Sequence, residues 1–254
     1  MMGKVKLNTT KIEKLRDFDW IGYFKYNNSH LLKLDFDNNK ELSNEEKELI
    51  IPSIKAFQIG EGSEGKHLLK VSKKFALKTG YKKYPEIMKL FIMEENRHSQ
   101  TLKKYMEIYN IEPAKKLWID NIFRILRKMM GLECEIIILV TAEMIALSYY
   151  TALSNATNSK LLKTICTQML NDELKHVVLQ SDTLHRISKN RNEIINKIIR
   201  KIRMLVMKVT IFVVWHKYKE LFIKGDYDYK KFKKCSLKYL DASIDIEKTG
   251  NLEI

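Results

Sequence analysis

Apolar residues recur along this chain at intervals of three and four, the spacing that gathers them on one face of an α-helix. Ile54, Phe57, Leu68, Val71 and Phe75 form one such stripe. The residues between stripes are those of helix ends. Ser43-Asn44-Glu45-Glu46 reads as a capping box and starts helix A, which is expected to run to about Thr79, bent near Pro52 and stopped by Gly80. Pro85 opens helix B, which ends near Asn110, before Pro113. A connecting helix is expected over about 114–130, broken by Gly131. Helix C runs from about Leu132 to Leu153, the polar SNATNS turn follows, and helix D covers about Lys160 to Ser188. A long helix E spans about Asn192 to Ile223, with a short one near Tyr229 to Leu240. No strand alternation competes and no fixed-length repeat is present, so the expected fold class is all-α.

Composition narrows the picture. Hydrophobic residues make up 45% of 254, enough for a real core. Nine Gly and three Pro argue against a many-stranded barrel and against Pro/Gly-rich disorder. Three cysteines are too few and odd for a disulfide framework and fit a reducing compartment. The first residues, MMGKVKLNTTKIEKL, lack an apolar core and a cleavage site. A cytoplasmic location is therefore expected. The most apolar stretch is read as Met204 to Trp215, interrupted by Lys208 and shorter than the ~20 residues a bilayer-spanning helix needs.

Charge is unevenly placed. The chain carries +15, and between Arg186 and Lys238 alone there are 16 Lys/Arg against 4 Asp/Glu, a net of +12. A solvated helical face accounts for this, and an acidic partner such as a carrier protein or an anionic membrane is the functional alternative. No nucleic-acid-binding motif accompanies the charge. Three regions are expected: a polar lead-in over 1–42 with aromatic anchors at Trp20, Tyr23 and Phe24, a four-helix bundle over 43–188, and a basic helical extension over 189–254 packed on it.

Two segments stand out for chemistry. Glu94-Glu95-Asn96-Arg97-His98 in helix B and Asp172-Glu173-Leu174-Lys175-His176 in helix D each contain Glu-x-x-His. Residues i and i+3 share a helix face, so each segment aims a carboxylate and an imidazole the same way. A pair of metals in a four-helix bundle needs one carboxylate from each of the other two helices. Helix C offers Glu143, alone in an apolar run where an unpaired charge is costly. Helix A offers Glu61 and Glu64, which both interrupt its apolar stripe. Glu143 precedes Glu173 by 30 residues and Glu64 precedes Glu95 by 31, which suggests two similar helix hairpins. Facing does not separate Glu61 from Glu64, and matched depth favours Glu64. Four carboxylates and two imidazoles form a hard oxygen and nitrogen donor set suited to iron or manganese. Glu94 and Asp172, each just before a ligand glutamate, are candidates to accept the other N–H of a metal-bound imidazole. His67 reads as an ordinary, partly buried histidine rather than a seventh ligand, and His185 lies off the metal face. Arg124 and Arg127 read as partners of acidic residues, with a substrate carboxylate as the alternative, and Trp118, Phe123, Met129, Met130 and Met144 as core, with the lining of an apolar pocket as the alternative.

At these residues the chain resembles the ferritin-like di-iron carboxylate superfamily. EENRH is similar to the motif of soluble acyl-carrier-protein desaturases, and DELKH to the second motif of bacterial multicomponent monooxygenases. The resemblance covers about residues 45–188. It implies a ferritin-like four-helix bundle with additional helices at both ends. It also implies two iron ions (Fe/Fe, with Mn/Fe as a variant) that activate O2 to oxygenate or desaturate a small organic or acyl substrate. An external electron donor and a monomeric or homodimeric state belong to the same expectation. The radical tyrosine of ribonucleotide reductases has no counterpart, because Leu102 stands four residues after His98. The threonine that several oxygenases carry one turn after the helix C glutamate is replaced here by Ala146 and Leu147. Cys-x-x-Cys is absent, so a rubredoxin-like electron relay is excluded. Two other classes remain: a ferritin-like iron-oxidising or peroxide-detoxifying protein, and a non-enzymatic helical binding protein that uses its basic C-terminal region.

Overall fold

The computed structural model describes residues 18–37, 42–62, 65–114 and 131–251, and these are all-helical. The helices are α1 (Trp20–Ser29), α2 (Asn44–Glu61), α3 (Lys66–Thr79), α4 (Tyr84–Ile108), α5 (Gly131–Ala156), α6 (Lys160–Ser188), α7 (Glu193–Lys224) and α8 (Tyr229–Thr249).

The ends are set by local chemistry. The hydroxyl of Ser43 accepts from the Glu46 amide at 3.1 Å and that of Ser159 from Leu162 at 3.2 Å, which satisfies orphan donors of α2 and α6. Pro85 lies in the first turn of α4, where its missing N–H costs nothing. Gly80 closes α3 at φ +74°. The reciprocal half of the capping box does not form, because the Glu46 carboxylate instead accepts from the Thr157 hydroxyl and the Asn158 amide. Glu46 thus ties the start of α2 to the α5–α6 turn.

Two expectations are corrected. The single helix A of 43–79 is two helices: α2 ends at Glu61 and α3 starts at Lys66, after Gly65 at φ +61°. A Cβ on Gly65 would lie 2.3 Å from Ile92 Cδ1, so the chain turns tightly against α4. The most apolar stretch is α5 rather than Met204–Trp215. Gly131–Ala156 is long and apolar enough to cross a membrane by length and composition, but 78% of its most apolar window is buried inside the protein. Two further differences concern helices at the ends. Residues 20–29, within the expected lead-in, form α1, and the last helix extends to Thr249 rather than to Leu240. The connecting helix placed over 114–130 falls outside the described residues from 115 onward, as do Trp118, Phe123, Arg124, Arg127, Met129 and Met130.

Packing follows chain order. α2 and α3 lie on α4, and α5 packs most extensively on α6. The two pairs meet where α4 touches α6 and α3 touches α5. α1 covers α4, placing Trp20 and Phe24 in the core, while α7 packs on α5 and α8 on both α6 and α7. Leu102, Tyr105 and Met106 of α4, Met144 and Leu147 of α5, and Ile165 and Met169 of α6 belong to the same buried core. The core among α2, α4, α5 and α6 is mainly apolar, with neutral polar contacts such as Tyr149–Ser53, and its buried acidic and histidine groups gather at one level.

Candidate metal centre

At that level the polar groups are concentrated. Glu61 is the last residue of α2, Glu95 and His98 lie mid-way along α4, Glu143 lies at the middle of α5, and Glu173 and His176 lie on α6. Two groups of donors form. Glu61, Glu95, His98 and Glu173 offer atoms within 4.8 Å of one another, and so do Glu95, Glu143, Glu173 and His176. The two groups share Glu95 and Glu173. Each then has one imidazole and one carboxylate of its own, so the cluster could bind two metal ions.

The short distances fit such ions. His176 Nδ1 is 3.0 Å from Glu95 Oε1 and 3.1 Å from Glu173 Oε2, and His98 Nδ1 is 3.3 Å from Glu173 Oε1. An ion with bonds of about 2.1 Å holds neighbouring ligands about 3 Å apart. Glu95 Oε1, His98 Nδ1 and Glu173 Oε1 are buried without a well-formed hydrogen bond. Buried polar atoms are rarely left so, and these three face the same space.

The imidazoles are held from behind by the opposite helix. His98 Nε2 of α4 is 2.9 Å from Asp172 Oδ2 of α6, and His176 Nε2 of α6 is 2.9 Å from Glu94 Oε2 of α4. An Nε2–H donated to a carboxylate leaves the Nδ1 lone pair pointing into the cluster. The two outer carboxylates are joined in turn. Arg97 donates to Glu94 Oε1 and to Asp172 Oδ2, both at 2.8 Å. Asn27 of α1 donates to the same two carboxylates at 2.7 and 2.8 Å, and Gln168 to Asp172 at 2.9 Å. Phe91 meets the His176 ring edge-on at 4.8 Å between centroids, which limits its rotation on the apolar side.

The electrostatics is that of a site short of positive charge. Burial, together with the charges of Glu95 and Glu173, pushes the Glu61 and Glu143 carboxyls well above the usual range. Burial would depress His98 and His176, but their carboxylate neighbours outweigh it and raise both well above the ordinary histidine range. Burial would likewise raise Glu173, yet its hydrogen bonds and the histidine charges hold it far below normal. In the metal-free chain these shifts all favour the proton-bound form of Glu61, Glu143, His98 and His176. Two divalent cations would displace those protons.

Glu64 lies outside the described residues, and Glu61 is the helix A carboxylate present in the cluster. His67 pairs at 2.8 Å with Glu135, and His185 Nδ1 bonds the Glu247 carbonyl at 2.8 Å, both outside the two donor groups. Sequence reasoning missed four residues. Tyr150 donates to Glu61 Oε1 at 2.6 Å and Gln180 to Glu143 Oε1 at 3.0 Å, so each unshared glutamate is held by a neutral donor. Gln180 falls four residues after His176, on the same helix face, and that spacing was a usable signal. Arg97 falls three residues after Glu94, so that pairing was also readable, while its bond to Asp172 and the whole role of Asn27 depend on helices meeting.

No protein-family model matches the chain, and no curated protein or solved structure matches it either.

Proposed function

We propose that the chain is an O2-activating non-haem di-iron oxidoreductase, of the oxygenase or desaturase type, built on a ferritin-like bundle. The observation that carries this reading is the pair of donor groups sharing Glu95 and Glu173 in a buried, mostly apolar setting. All donors are carboxylate oxygen or imidazole nitrogen, the set that suits iron and manganese over thiolate-bound zinc. In the proposal Glu61 and His98 belong to one metal, Glu143 and His176 to the other, and Glu95 and Glu173 to both. The bundle occupies 43–188, with 1–42 and 189–254 as additions to it.

Two bound irons would supply the electrons and the open coordination positions for reducing O2. The protein's own part is to position and protect. Asp172 and Glu94 fix the ring orientation and tautomer of the two histidines. Asn27 and Arg97 keep those carboxylates in place. Tyr150 and Gln180 restrain the two glutamates that a shared ligand set leaves free to move. Phe24, Phe91 and Met144 belong to the apolar surroundings that keep bulk water away. The substrate is proposed to be a small organic or acyl molecule, with electrons from an external donor. The basic segment at 186–238 would suit an acidic carrier or donor protein.

The test is metal content after anaerobic Fe(II) loading, followed by an O2 pulse under stopped-flow absorbance, with Glu143→Ala alongside. About two irons per chain and a transient visible band absent from the variant are expected. No bound iron, or loading indifferent to Glu143, overturns the reading.

A further inference from the structure

α7 has two apolar faces. The inner one, with Met207, Ile211 and Trp215, is buried in the protein. The outer one is formed by Ile195, Ile198, Ile202, Leu205, Val209 and Phe212, which are 47–62% exposed. These six alternate by three and four residues, a heptad seam running about 27 Å along the helix. Ile195, Ile202 and Val209 take one seam position and Ile198, Leu205 and Phe212 the other. β-Branched residues at the first and larger, mostly unbranched-at-Cβ residues at the second is close to the distribution that favours two parallel strands. The seam stops where the pattern becomes polar, at His216 and Lys219, next to the kink at Tyr218 (φ −126°, ψ 25°).

With the flanking Ile194 and Val213, the exposed apolar surface is on the order of 700–800 Å². That exceeds the few hundred Å² a monomer usually leaves open and is close to the ~800 Å² each partner gives to a standard interface. We propose that this face docks a second copy of the chain, α7 against α7, in parallel about a twofold axis. The flanks fit that arrangement. One edge of the seam carries Ile194, Lys201 and Lys208, and the other Ile199, Val206 and Val213. Parallel pairing sets each residue of the first edge beside one of the second on the other copy. Lysine stems then cover valines while the ammonium groups reach water. Antiparallel pairing would bring Lys201 and Lys208 of the two copies together. A helix facing an anionic lipid surface is expected to carry lysines along both edges, and here one edge is wholly apolar.

The full chain is tested by size-exclusion chromatography with light scattering. The expected mass is twice 30.1 kDa, falling to a single chain in Ile202→Lys/Leu205→Lys with unchanged helical circular dichroism. Separately, Ile195→Cys and Val209→Cys, each in a Cys134→Ser/Cys235→Ser background, should each form a self-disulfide on mild oxidation. Only a parallel seam lets both positions meet their own copies. A monomer at 50 μM, a dimer that survives the double substitution, or no self-disulfide at either position overturns the proposal. So does a monomer that binds phosphatidylglycerol-rich vesicles through these residues, which would assign the face to lipid.

Discussion

Asp172→Asn should weaken both the fold and the metal site, and the size of the effect follows from four hydrogen bonds. Asp172 is fully buried. Its Oδ1 accepts from Asn27 and Gln168, and its Oδ2 from Arg97 and His98, at 2.8–2.9 Å. Asparagine keeps the shape but replaces one acceptor with a donor. Either orientation turns an NH2 toward two existing donors. A buried donor left without an acceptor costs about 1–3 kcal/mol. Arg97 keeps its bond to Glu94, so the loss is partial on that side. The metal-free chain should lose about 3 kcal/mol, a large share of the ~5–15 kcal/mol that holds a typical domain. Affinity for Fe(II) should fall ~10–100-fold, because His98 is no longer fixed. Burial alone would raise the Asp172 carboxyl, but the His98 hydrogen bond and charge, with Asn27, outweigh it and hold it below the usual range. Its contribution is therefore present above the unfolded aspartate range and disappears as pH falls through the lower folded value. The gap between wild type and variant should close only below about pH 4. Equilibrium urea unfolding without metal, at pH 7 and at lower pH, measures the first effect, and chelator competition the second. A loss under 1 kcal/mol together with unchanged affinity would refute the reasoning.

Tyr150→Phe removes the hydroxyl that holds Glu61, and should weaken metal binding at the Glu61/His98 position by roughly tenfold while the other position is spared, measured as a split in an Fe(II) or Mn(II) titration. Apparent metal affinity should rise steadily from pH 6 to pH 8. His98, His176, Glu61 and Glu143 are all shifted upward in the metal-free chain, so metal must displace protons that ordinary side chains would already have lost, and a flat profile in chelator competition would contradict this. Gly225→Ala should lower the melting temperature by roughly 4–10 °C in differential scanning calorimetry, because its Cβ would lie 2.3 Å from the Ala152 carbonyl oxygen, a backbone atom that cannot step aside.

Much of the fold was legible because the stripes and their punctuation agree. Ser43, Ser159, Gly80 and Pro85 each sit at a helix end for a local reason, and each acts within a few residues of itself. α1 was not legible. Its stability comes from Trp20 and Phe24 packing into a core assembled by other helices, and ten residues carry no strong period of their own. The division of helix A was hidden as well. Its apolar stripe continues in phase from Ile54 to Phe75, although α2 ends at Glu61 and the chain re-enters helix after Gly65, which lies tight against Ile92 of α4. That break bears on the choice between the helix A carboxylates. Matching depths across a hairpin assumes one continuous helix of fixed rise, and α2 ends at Glu61. There the Tyr150 hydroxyl of α5 donates to the carboxylate.

The five donors other than the helix A carboxylate could be found in sequence, because each Glu-x-x-His works within one helix and Glu143 stands alone in an apolar run. What surrounds them works between helices. In both segments an acid immediately precedes the glutamate, about 100° round the helix from it, and so faces the neighbouring helix instead of the cluster. Glu94 of α4 therefore serves His176 of α6, and Asp172 of α6 serves His98 of α4. The exchange makes each half of the site depend on the other: moving α4 relative to α6 would pull both imidazoles out of line together. Arg97 and Asn27 join the same two acids and resist that motion. A site assembled this way should lose both metal positions when α4 and α6 are uncoupled, whichever outer acid is removed.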